Sequence, residues 1–380
     1  MSKPSGRSSR EYTSRLYSEM AGIEKYVTRV FSKVAFPKED IDRLFSVDNE
    51  RVTIVCTHRS HADYLVTGLE FIREGVQNLR FAAGDNLTGL PFIGILFRKV
   101  GSFTVQRGRV HNRQYLFRLA EFVKRLLQRG QNVLVYPEGG RSYSGRMLEI
   151  KSGLIGSTIM AQKENPERDY YILPMACSYS AVPEAQYFHI LLRGKEWRTK
   201  KGFFMKSLGS LLYYGADVWT FLQLWLFPPK KNEIYIDVGT PVRVKDITDV
   251  EGLYRKNAKN EFFANGRATK ECSVFIRKRL LQLYRVLPHN IVAYLMDTKL
   301  YYQGESASIE KIEEIISFLS TNECNTKGLD HLSPQEILLQ GGETLRSMKV
   351  CRERGKKGVV VRKKDLLRYY ANTVYDVMGE

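Results

Sequence analysis

The sequence predicts an α/β fold: a mixed sheet flanked by helices, with an N-terminal helix in front and a mostly helical region behind. Three observations carry that expectation. Apolar, β-branched runs of strand length alternate with stretches whose apolar residues recur at helical spacing. The runs end in clusters of His, Arg, Asp, Glu and Gly, as strands do where a sheet edge collects a ligand. From roughly residue 250 onward the strand signals give way to helical, basic sequence. The expected divisions are a basic arm and helix over 1–48, the α/β domain over 49–248, and the helical, basic region over 249–380.

Within the first division, a basic, Ser-rich arm without an apolar core leads into a helix expected over 12–33, and it is not a secretory signal. Val52, Ile54 and Val55 read as a buried strand that runs out at Thr57. His58, Arg59, Ser60, His61 and Asp63 follow at once, and Leu65, Val66, Leu69 and Phe71 then repeat as a helix. Strands are expected over 79–83, 102–105, 133–136, 170–176 and 233–238, with a short apolar segment over 91–100. An amphipathic helix over 111–129 should bury Leu116, Leu119, Phe122, Val123, Leu126 and Leu127, and Gly130 should stop it. Another helix follows Gly153. Residues 207–227 are rich in Leu, Tyr, Trp and Phe between lysines, and are long enough to span a bilayer. Strands of one sheet on both sides of them disfavour a crossing. A helix in the membrane interface, with Trp219 and Trp225 at headgroup depth, and ordinary core helices both fit. The Lys and Arg run over 349–364 should be a surface loop or strand pair.

Composition narrows the function. At 380 residues and 43% hydrophobic, the chain is globular and buries a sizeable core. A net charge of +18 points to an anionic partner: nucleic acid, lipid headgroups or phosphorylated substrates. Dispersed cations and the lack of any zinc-finger, RNP or helix-turn-helix pattern argue against nucleic acid. Five scattered cysteines without a CxxC pair suggest reduced thiols.

The first strand end carries the chemistry. Asp63 falls in the first helical turn, where a carboxylate is favoured. His58 can turn one ring nitrogen to it and the other to a substrate, a base with an orienting group. A capped helix with a surface histidine fits the same spacing. A metal site from His58, His61 and Asp63 has suitable ligand types, but no further His or Cys cluster supports it. At the strand end YPEGGRSYSG, Gly139 and Gly140 permit close backbone approach, while Arg141 and Arg146 match phosphate oxygens. Arg98 and Lys99 add cations, and PMACSYSAVPE contributes Pro174, Tyr179, Pro183 and Glu184.

Taken in order, HRSHAD, GILFRK, YPEGGRS and LPMACSYSAVPE resemble the four blocks of the glycerolipid acyltransferases. The likeness is closest to the bacterial membrane-bound glycerol-3-phosphate acyltransferases and their dihydroxyacetone-phosphate relatives, through HRSHADYL, EGGRS, VLPHNIVA and LLRYYANTVYDVM. Arg98-Lys99 stands where the family has two arginines, and Ala371 where it usually has one. The resemblance implies acyl transfer from acyl-CoA or acyl-carrier protein to the sn-1 hydroxyl of glycerol 3-phosphate, the first step of phospholipid synthesis. The same fold acting on lysophosphatidate or dihydroxyacetone phosphate is the alternative. It implies His58 as base and Asp63 as its partner, with no serine nucleophile. The acceptor's phosphate is expected among Arg98, Lys99, Arg141 and Arg146, with Glu138, Gly139 and Gly140 shaping the site. Pro174 and Tyr179 are expected on the acyl-donor side or in a structural role. No cofactor or metal is implied. Peripheral or monotopic attachment to the cytoplasmic face of the cell membrane, through anionic lipids, would use the positive charge.

Overall fold

The computed structural model describes residues 21–45, 51–76, 78–85, 101–188, 190–191, 208, 219, 222–224, 226, 232–354 and 358–380. Arg98, Lys99, the 91–100 segment and most of 207–227 lie outside them. Of that last segment, Leu208, Trp219, residues 222–224 and Leu226 are helical, and Trp219, Leu222 and Leu226 are exposed.

The frame is a mixed sheet. Its strands are β1 (Lys33–Ala35), β2 (Val52–Cys56), β3 (Leu79–Gly84), β4 (Ser102–Val105), β5 (Asn132–Val135), β6 (Tyr171–Tyr179), β7 (Glu233–Val238) and β8 (Val242–Arg243). They lie in the order β1-β7-β6-β2-β5-β3-β4, with β8 on β6. Pairings from β6 through β2, β5 and β3 to β4 are parallel, whereas β7 and β8 run antiparallel to β6. β2 is thus a central strand, buried at every residue, and its carboxyl end opens at the sheet edge where ligands collect.

The period of two along each strand divides two cores. Val52, Ile54 and Cys56 of β2 join one with Leu134, Leu173 and Met175; Val55 joins the other with Val133, Val135, Ile172 and Ala176. Thr53, on the second face, pairs its hydroxyl with Thr158 at 2.8 Å, so a buried polar pair is satisfied within the sheet–helix contact.

The helices are α1 (residues 21–30), α2 (Lys38–Phe45), α3 (Ala62–Arg73), α4 (Arg113–Gln128), α5 (Ile155–Glu164), α6 (Val250–Lys256), α7 (Glu261–Leu283), α8 (Pro288–Asp297), α9 (Glu305–Thr321), α10 (Pro334–Ser347) and α11 (Lys364–Met378). The N-terminal helix ends earlier than the sequence suggests, because the chain pairs with β7 from Lys33 as β1. α4 starts at Arg113 because the Asn112 side chain accepts the Tyr115 N–H at 3.1 Å as a cap. Val123, Leu126 and Leu127 are buried as expected. Phe122 is 45% exposed and rests edge-on against Phe103 at the sheet's rim, which corrects its place on the buried face. The basic run forms the antiparallel pair β9 (Cys351–Glu353) and β10 (Val359–Val361).

α8 is the hub of the C-terminal region, buried along nearly its whole length between α10 and α11. Its His289 lies against Tyr370, ring centroids 5.0 Å apart. Burial drives its pKa from 6.5 down to about 3. The unfolded chain therefore takes up a proton that the folded chain refuses. The stabilisation is full above pH 6.5 and is lost as pH falls towards 3, by about 1.4 kcal/mol per pH unit in that window. Urea unfolding between pH 7 and 5 should show this loss in the wild type and a flatter slope in His289→Phe. Equal slopes would remove His289 from the acid response.

Candidate active site

The site grows from the turn between β2 and α3. Asp63, fully buried in the first turn of α3, collects four donors. Its Oδ2 accepts from His58 Nδ1 at 2.9 Å, the Arg59 N–H at 2.7 Å and the Ser60 N–H at 3.0 Å. Its Oδ1 accepts from the Tyr179 hydroxyl. Because a carboxylate only accepts, His58 carries its proton on Nδ1, and Nε2 is left with a lone pair. The imidazole is 7% exposed and stacks at a tilt on Tyr136, centroids 4.6 Å apart. Burial, then the Asp63 charge among its neighbours, pushes the Tyr179 phenol far above its ordinary value, so it remains a donor.

Two glutamates fix the turn from outside. Glu138 is 1% exposed; Oε1 accepts the His58 N–H at 2.9 Å and Oε2 the Leu148 N–H at 2.8 Å. It therefore ties the β2–α3 turn to its own loop through the backbone, and the Ser142 N–H adds a second tie by donating to the His58 carbonyl at 3.1 Å. Burial pushes the Glu138 carboxyl above the usual range, opposed by the bonds from Leu148 and His58. Glu184, also buried, accepts from the Ser60 hydroxyl and the His61 N–H, each at 2.7 Å, and pairs with Arg141 at 3.4 Å. The Ser60 hydroxyl is thus committed to a carboxylate.

The arginines go elsewhere than a phosphate next to His58 would require. Arg141 is buried between Glu184 and the Tyr143 hydroxyl. Arg146 meets Asp376 at 3.3 Å and the Glu380 carbonyl at 2.6 Å, with its guanidinium 5.0 Å above the Tyr375 ring. Gly139 has φ +65°, a conformation that favours glycine, and a methyl there would strike the Lys151 side chain. Gly140 faces open space. Pro174 is buried in β6, its carbonyl accepting the Gly239 N–H at 2.8 Å. It sits between the stretches of β6 that pair with β8 and β7, which is why a central strand tolerates it.

Helix α11 clasps the same loop from the C-terminal side. Asp376 accepts the Met147 N–H at 2.5 Å, and the Asn372 amide donates to the Ser144 carbonyl at 2.7 Å. Gly145 has φ +82°, and a side chain there would run into the Tyr369 carbonyl.

With this geometry in place, residues 34–178 match the family model described as Acyltransferase. The chain is 34% identical over 188 residues to a glycerol-3-phosphate acyltransferase from Colwellia psychrerythraea, covering 49% of this chain and 23% of that one. It is 32% identical over 240 residues to another from Pseudoalteromonas atlantica, covering 63% and 27%. The chain thus spans about a quarter of the length of the curated relatives it matches. The crystal structure of the 1-acyl-sn-glycerophosphate acyltransferase PlsC from Thermotoga maritima covers 67% of this chain and 79% of its own. That likeness has 19% identity and a TM-score of 0.35, too low for structural inference.

The structure brings His58, Asp63, Glu138 and Tyr179 together and joins Arg141 to them through Glu184. Sequence reasoning gave no role to Tyr136, Glu184 or Asp376. Glu184 stood in a quoted stretch, yet only the fold shows its carboxylate reaching back to Ser60.

Two substitutions test this frame. Glu138→Gln replaces one accepting oxygen with an amide donor that meets an N–H head-on, costing about 1–3 kcal/mol. Amide hydrogen exchange at His58 or Leu148 should quicken; unchanged exchange at both would refute the tie. Gly145→Ala should cost about 1–3 kcal/mol from backbone strain alone, before the collision with α11, and lower the thermal midpoint.

Proposed function

We propose that this chain transfers a fatty acyl group from a thioester, acyl-CoA or acyl-carrier protein, to the sn-1 hydroxyl of glycerol 3-phosphate, giving lysophosphatidate. The observation that carries the proposal is the His58 Nδ1–Asp63 contact at 2.9 Å, with Asp63 saturated by backbone and Tyr179 donors. The printed names of the relatives support the choice of acceptor. Lysophosphatidate or dihydroxyacetone phosphate would suit the same dyad.

An alcohol attacks a thioester slowly because it must shed its proton as the bond forms. Nε2 of His58 takes that proton while the hydroxyl oxygen adds to the thioester carbonyl. Asp63 stabilises the imidazolium and holds the ring against rotation. The tetrahedral adduct collapses, the C–S bond breaks, and His58 returns its proton to the leaving thiolate. No serine ester is needed, in keeping with the Ser60 hydroxyl held by Glu184.

Among the described residues no helix is long and apolar enough to cross a membrane. We assign the chain a peripheral place on an anionic membrane surface, where the +18 charge provides attraction and the acyl chain is at hand.

Release of free thiol from palmitoyl-CoA, with glycerol 3-phosphate, dihydroxyacetone phosphate and lysophosphatidate offered separately, tests the reaction. Glycerol 3-phosphate should support release, and His58→Ala should lower it by about 10²–10⁴-fold. Full activity in that variant would sink the mechanism.

A further inference from the structure

Beside the dyad, on the Tyr179 side, lies a cavity of about 30 Å³, lined among others by Arg59, Tyr179, Tyr284, Arg285 and Tyr369. One water needs roughly 10–15 Å³ of such space, so this one takes a larger group. Its walls come from the catalytic turn, from the end of β6, from the segment after α7 and from α11.

Most polar groups around it are matched. Arg285 forks onto Asp237 at 2.6 and 3.1 Å, and Tyr179 donates to Asp63. The carboxylates nearest in charge to Arg59, Asp376 and Glu138, hold backbone N–H groups or Arg146. Arg59 differs. It is 6% exposed, lies 4.4 Å above the Tyr284 ring, and donates from one terminal nitrogen to the Gly145 carbonyl at 2.6 Å. Among the described residues no carboxylate reaches ion-pairing distance of it. The Tyr284 and Tyr369 hydroxyls, both buried, interact with the Arg59 guanidinium but find no acceptor for their own protons among those residues. A buried guanidinium without a carboxylate partner and two phenol O–H donors without an acceptor around one cavity match the needs of an oxyanion.

We propose that this cavity is an oxyanion site that takes a phosphate group, as inorganic phosphate or as the phosphate of a small phosphomonoester. Arg59 supplies the charge and its remaining guanidinium N–H donors, stacking on Tyr284 fixes the plane of its fork, and the two phenols complete the shell. Where the phosphomonoester is the acyl acceptor, the site rests on the acyltransferase reading; for free phosphate it stands alone.

Thermal unfolding of the full chain is to be followed against sodium phosphate, with sodium chloride at matched ionic strength as control. Wild type should show a saturable rise in Tm with phosphate. Arg59→Gln should weaken that binding by about tenfold or more, and Tyr369→Phe, which keeps the ring, by a few fold. If Arg59→Gln does not fold, Tyr369→Phe and Tyr284→Phe decide. Glycerol 3-phosphate and neutral glycerol form the second arm. Mutual exclusion of glycerol 3-phosphate and phosphate assigns the site to the acceptor; simultaneous binding assigns it to free phosphate. The absence of a saturable phosphate effect, or one unchanged in the variants, overturns the proposal, while thiol release in wild type and His58→Ala judges the acyl-transfer reading separately.

Discussion

Everything in the site depends on how one buried carboxylate is satisfied. Four donors converge on Asp63 in the interior, two of them backbone amides of the turn it belongs to. Those amides come from a helix entry, so the charge also meets the positive end of α3. The imidazole is therefore oriented by the same group that folds the turn. Loss of the carboxylate would leave Tyr179, His58 and two N–H groups facing one another with nothing to accept.

A second layer makes that turn rigid. Glu138 and Glu184 reach it from different strand ends, and both bond its backbone as well as its neighbours. Acidic residues thus do structural service beside the His58 imidazole. Burial pushes the Glu138 carboxyl upward, and its two N–H partners work against that.

Much of this was legible in the chain because it is local. The β2–α3 turn puts His58 and Asp63 five residues apart, and short-range geometry alone brings them into contact. β-branched runs marked the strands, and glycines with positive φ marked the loop. Other features depend on residues remote in sequence. Glu138 was expected to shape the acceptor site, and only the folded loop turns its oxygens onto amides 80 and 10 residues away. Arg146 looked like a phosphate donor until Asp376, 230 residues on, was seen to hold it. Phe122 fitted the helical stripe, but the sheet ends at β4 and leaves it at the rim.

The clasp of α11 on the glycine loop has a bearing on how the protein is made. Met147 and Asp376 are 229 residues apart. At a synthesis rate of about 5–20 residues per second, the ribosome needs roughly 10–50 s to pass from one to the other. Through that interval the sheet and the β2–α3 turn can form, while the loop that braces them lacks its last anchors. The nascent chain holds His58 and Asp63 well before α11 can fix the glycine loop in its final place.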